Sequence, residues 1–65
     1  MKLALGAKFT HASWWSGLDR AKCEVVAVRE DAYKGQPVTL VVVQEVGGAR
    51  RATYQQGRVP VRVGK

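Results

Sequence analysis

The groups that could move a proton, attack an electrophile or hold a metal are few: one histidine (His11), one cysteine (Cys23) and five carboxylates (Asp19, Glu24, Glu30, Asp31 and Glu45) in 65 residues. Their spacing assembles no reaction centre. No set of His, Cys, Asp and Glu falls at metal-ligand spacing, so neither a metal nor a cofactor is expected. His11 stands close to Ser13, a base beside a hydroxyl, yet no carboxylate is placed to orient the ring, and a role at a turn or strand end is the simpler reading. Cys23 alternates with Val25 and Ala27 and reads as a small buried hydrophobe rather than a thiolate nucleophile. Glu30 and Asp31 fall in a polar connection and make no acid–base pair. Gly47-Gly48 lacks the helix that a phosphate-cradling glycine loop requires. The chain is therefore read as non-enzymatic, with no small-molecule substrate.

Basic and aromatic residues offer a different chemistry. Eleven Lys and Arg against five acids leave a net charge of +6. The excess is uneven: residues 47–65 carry Arg50, Arg51, Arg58, Arg62 and Lys65 with no acid, whereas residues 1–46 hold six basic and five acidic side chains. Guanidinium groups donate forked, charge-assisted hydrogen bonds to phosphate oxygens and release counterions on binding, so a shared arginine patch reads as a face for DNA or RNA. The competing reading is a solvated face with Glu45 pairing one arginine. Trp14 and Trp15 are adjacent and would point to opposite sides of an extended backbone, one capping the core and one facing solvent. A solvent-facing indole would stack on a base or enter a partner protein. The alternative is that both rings cover the open end of a small barrel.

Positioning these groups falls to short strands. No stretch repeats apolar residues at helical spacing over three turns, and strand-like runs recur between Gly, Pro and Asp, which predicts an all-β domain. A first extended piece from Leu3 to His11 turns its odd-numbered side chains inward, with a bend at Gly6. Residues Ala12 to Arg20 have no period and form a loop that carries both tryptophans. A second strand, Lys22 to Arg29, sets Cys23, Val25 and Ala27 against Glu24, Val26 and Val28, so both faces are partly apolar. Glu30 to Pro37 reads as a polar loop, and Val38 to Glu45 as a third strand. Gly47-Gly48 signals a hairpin into a fourth strand ending at Gln55. A two-residue type I′ loop there sets Glu45 opposite Arg50 and Val43 opposite Ala52, whereas a three-residue loop sets Val42 opposite Tyr54. A turn over Tyr54 to Gly57 leads into a last strand, Arg58 to Val63, with Val59, Val61 and Val63 inward and Pro60 marking an edge.

Five short strands with a long loop after the first, a polar loop after the second, a Gly-Gly hairpin and a one-turn break before the last resemble the SH3-like small barrel over almost the whole chain. The likeness is one of spacing. The Ala-Leu-Tyr-Asp-Tyr signature of peptide-binding SH3 domains is missing, since Ala4-Leu5-Gly6-Ala7-Lys8 keeps its first two letters alone. The alternative is an OB-like barrel, which carries a helix where this chain has Gly47-Gly48. Either way residues 1–65 are expected to make a single domain with no substantial helix.

Thirty apolar residues, eleven of them Val, support a thin core, because a domain of this size buries only about 60% of its unfolded surface. A barrel this small cannot hide two strands that are apolar on both sides, which makes a protein partner or a homo-oligomer the alternative function, docking through the Trp14-Trp15 loop or the strand faces. The apolar opening ends at Lys8, too short for a signal peptide, and no run approaches the roughly 20 apolar residues of a membrane span. A lone cysteine in so small a domain predicts an intracellular, cytoplasmic protein without membrane contact. The leading expectation is a basic β-barrel that binds nucleic acid through Arg50, Arg51, Arg58 and Arg62, with Lys65 adding charge and Trp14 or Trp15 stacking.

Overall fold

The computed structural model describes residues 3–12, 14–15 and 17–62. These form one antiparallel sheet of four strands, β1 (Lys8–Thr10), β2 (Lys22–Tyr33), β3 (Gln36–Glu45) and β4 (Arg51–Gln55), in the order β1-β2-β3-β4 and without a helix among them. Among the described residues, no helix is long and apolar enough to cross a membrane.

The expected polar loop at Glu30 to Pro37 is instead the end of a hairpin. β2 runs on to Tyr33, which pairs with Gln36 across a two-residue turn. Lys34 (φ 52°) and Gly35 (φ 77°) both occupy the left-handed region, the geometry of a type I′ turn, whose twist matches that of the flanking strands. Pro37 is tolerated because it lies beyond Leu40, the last β3 residue opposite β4, so no neighbouring strand on that side needs its missing N–H. The hairpin thus continues past β4 as a two-stranded ribbon.

Between β3 and β4 the register sets Val43 opposite Ala52, and the Glu45 N–H bonds to the Arg50 carbonyl at 2.9 Å. That is the pairing of the two-residue version, but the loop differs from a type I′ turn. Gly48 N–H bonds to the Glu45 carbonyl at 3.1 Å, and of the two glycines only Gly47 has a positive φ, 81°. Gly48 serves by lacking a side chain, since a Cβ there would collide with the Glu45 carboxylate.

A bulge divides β2. Val25 pairs with Val43 but Ala27 pairs with Val42, leaving Val26 as the extra residue. Directly opposed residues share a sheet face, so the expected grouping of Cys23, Val25 and Ala27 breaks at Val26. Cys23 and Val25 face the core with Val41 and Val43, while Ala27 joins Val42 on the opposite, outer face.

Leu3, Phe9, Leu18, Cys23, Val25, Val41 and Val43 make the core, with Ala52, Tyr54, Val59 and Val61 packed against it. The odd-numbered rule fails at Leu5, which is 67% exposed, because Ala7 N–H bonds back to the Ala4 carbonyl and Gly6, at φ 88°, turns the chain. Leu3 returns to the core through a side-chain clamp. The Gln56 carboxamide accepts from Leu3 N–H at 2.9 Å and donates to its carbonyl at 3.0 Å, taking the place of a ladder partner.

The expected fifth strand is present as one bridge, His11 to Val61, so the sheet is not closed. The cause is at Pro60. Val61 N–H bonds to the Val59 carbonyl at 2.8 Å, a three-residue turn centred on the proline, which folds the segment out of an extended ladder. Flanking bonds still dock it on β1: Ala12 N–H to the Pro60 carbonyl and Arg62 N–H to the Thr10 carbonyl. Val63 lies outside the described residues.

Candidate nucleic-acid interface

The sheet has a core face and an open face, and the alternation of each strand sorts the basic residues between them. Lys8, Glu24, Gln44 and Arg51 stand in register on the open face; beside them run Ala27, Val42 and Thr53, then Arg29, Leu40 and Gln55. Val38, Leu40, Val42 and Ala27 are half-buried there, forming an apolar floor between exposed Arg29 and Arg51. Two depressions adjoin at Thr53. One, of about 580 Å³, is bounded by Asp31, Tyr33, Leu40 and Arg58; the other, of about 590 Å³, by Val26, Arg29, Val42 and Arg51. Both are shallow and open to solvent, troughs along the sheet rather than enclosed cavities.

Arg58 reaches this face from the turn after β4, where Arg58 N–H bonds to the Gln55 carbonyl at 2.9 Å and Gly57 takes φ 90°. The expected turn at Tyr54 to Gly57 is thus displaced by one residue, and Tyr54 stays in β4. Among the described residues, neither Arg29 nor Arg58 forms an ion pair. Arg51 donates from Nε to the Gln44 Oε1 at 2.9 Å, which fixes its stem along the face.

Arg50 is placed differently. Adjacent to Arg51, it takes the core-face side, where Nε and Nη2 donate to the two Glu45 carboxylate oxygens at 2.9 and 2.7 Å and Nη1 donates to the Gly17 carbonyl. This hydrogen-bonded pair lowers the Glu45 pKa and raises that of Arg50. Arg50 is therefore a clamp between the β3–β4 hairpin and the tryptophan loop. Arg62 sits against β1 through its backbone bond to Thr10. The four arginines expected on one surface are divided: Arg51 and Arg58 share the open face, Arg50 attaches to the tryptophan loop itself, and Arg62 attaches to β1 beside it. Lys65 lies outside the described residues.

The loop itself leaves both indoles outside, Trp14 at 82% and Trp15 at 97% exposure, so neither caps the core. Leu18 does so instead, fully buried. It is turned inward by a bend in which Ala21 N–H bonds to the Leu18 carbonyl at 2.9 Å, with Arg20 at φ 63°.

His11 and Cys23, weighed for chemistry above, are both fully buried. His11 Nε2 is 2.6 Å from the Tyr54 hydroxyl, and burial holds its pKa below the ordinary value against an opposing pull from Asp19. Cys23 is pushed up, first by burial and then by Glu45. An imidazole kept neutral and a thiol kept protonated inside the core serve packing. The described residues contain no cluster of three metal-binding side chains.

Arg29 and Tyr33 are the open-face residues that sequence reasoning missed. Both stand an even number of positions from Cys23 as well as from Ala27, so a two-residue period assigns them to the core face, and only the extra residue at Val26 turns them outward. No family model matches the sequence, and neither a curated protein nor a solved structure does.

Proposed function

We propose that this chain is a non-enzymatic nucleic-acid-binding protein that contacts phosphates through Arg29, Arg51 and Arg58 on the open face of its sheet. The observation that carries the reading is the gathering of these three arginines around an apolar floor that no other part of the described chain covers. Lys8 adds a fourth cation to the face, against Glu24 and Asp31. A net charge of +6 favours encounter with a polyanion. The strand order supports an SH3-like barrel left open at one seam, because β1 has β2 on one side and the Val61 segment on the other.

The test is binding of a labelled oligonucleotide across a salt series. Binding should weaken steeply with salt, and each of Arg29→Ala, Arg51→Ala and Arg58→Ala should reduce the log–log slope by about 1. A slope near zero in the unmodified protein would sink the proposal.

A second reading rests on the exposed Trp14-Trp15 pair, which is suited to insertion into a partner protein or a second copy. Light scattering separates these: a dimer abolished by Trp15→Ala supports self-association, and a monomer leaves a different chain as the partner.

A further inference from the structure

Resting on the nucleic-acid reading, we propose that the ligand of the open face is a single strand, with its bases laid on the floor of Tyr33, Leu40 and Val42 and its phosphates on Arg29, Arg51 and Arg58. The floor is the first reason. Leu40 and Val42 are half-buried side chains of a sheet face rather than a basic ridge, and Tyr33 beside them is 60% exposed. Phosphates gain nothing from such a surface; the flat faces of unstacked bases do, and every base has one. A duplex keeps those faces stacked on one another.

The second reason is what a duplex would have to meet. Its major groove admits a helix or a two-stranded ribbon, and the ribbon at the end of β2 and β3 is the element with that shape among the described residues. That ribbon carries Glu30 and Asp31, which the phosphate walls of a groove would repel. A base beside Tyr33 meets Asp31 differently, since a carboxylate accepts from an exocyclic amino group. One side of the Tyr33 ring already holds the Lys34 ammonium, 5.4 Å from its centroid, so a base would take the other and a neighbouring phosphate would find a cation close by. From Val42 to Gln36, the β3 residue opposite Tyr33, the floor runs about 20 Å, the length of roughly four unstacked nucleotides, at the low end for OB-folds.

Anisotropy titrations at one salt concentration would use three labelled probes of equal phosphate number: a mixed-sequence single strand, its duplex and an abasic strand. The expected result is tightest binding to the single strand, with Tyr33→Ala weakening that complex about tenfold or more and leaving the other two unchanged. Arg58→Ala should weaken all three alike. Equal or tighter binding to the duplex or the abasic strand, or no effect of Tyr33→Ala, would overturn the single-strand assignment while leaving phosphate binding intact. Failure of all three probes to bind at low salt would overturn both.

Discussion

Acidifying the solution from pH 7 to pH 5 should destabilise this protein through one residue. His11 is fully buried with Nε2 on the Tyr54 hydroxyl, and burial lowers its pKa from an ordinary 6.5 despite the charge of Asp19. Above pH 6.5 the imidazole is neutral in both the folded and the unfolded chain and costs nothing. Below it the unfolded chain takes up a proton that the folded chain resists, so stability falls as the pH falls until the folded pKa is reached. One proton sets a ceiling of about 1.4 kcal/mol per pH unit, hence about 2 kcal/mol at most by pH 5. For a 65-residue chain, whose total stability is about 3–10 kcal/mol, that is a large share. The Glu45 carboxyl, held below its ordinary 4.5, loses its contribution only at lower pH and leaves this window clear. Urea unfolding followed by far-ultraviolet circular dichroism at pH 7, 6 and 5 would measure the slope, with His11→Gln as the variant that cannot titrate. A flat profile in the unmodified protein, or the same slope in His11→Gln, would refute the argument. Tyr54→Phe should cost about 1–3 kcal/mol at every pH while keeping the slope, because it removes the hydrogen bond and not the burial.

Four other outcomes are expected. Cys23, buried and with its thiol pKa raised, should resist alkylation in the native protein and react fully in denaturant; rapid native labelling would contradict its placement. Trp14→Ala and Trp15→Ala should each change stability by less than about 0.5 kcal/mol, and tryptophan emission should shift little on unfolding, since both indoles are already exposed. Lys34→Asn should stabilise the β2–β3 turn by several tenths of a kcal/mol, as Asn accepts the left-handed conformation more readily than Lys; a loss on thermal melting would argue against a type I′ turn. Gly47→Ala should destabilise by about 1 kcal/mol through backbone strain, whereas Gly48→Ala should act by pushing Glu45 off Arg50, so that its effect vanishes in an Arg50→Ala background.

Sequence legibility followed the contrast between one wet and one dry face. Where β3 and β4 pack a dry side on the core, the hairpin and its two possible registers were legible, and the burial of Val41 and Val43 selects the one that sets Glu45 opposite Arg50. Along the ribbon from Glu30 to Thr39 both faces meet solvent, polarity no longer alternates, and Glu30-Asp31 looks like a turn when it is strand. The bulge at Val26 has the same effect on the site, because a single extra residue moves Ala27 and Arg29 to the face opposite the one an unbroken count assigns. Burial of Leu18 rather than of either tryptophan depends on a bend at Arg20, which has no glycine to announce it.

The Gln56 clamp on Leu3 joins residues 53 positions apart, and the His11–Val61 bridge joins residues 50 apart, while β2, β3 and β4 are linked by short turns. Neighbouring strands can pair before much chain entropy is lost; the seam can form only when nearly the whole described chain is already in place. Folding should therefore be a rapid assembly of the three-stranded meander followed by a slower stitching of its margins. In hydrogen exchange the order reverses: the amides of Leu3, Ala12 and Arg62 should open by a low-energy local route, while those of Val41 and Val43 exchange only through global unfolding.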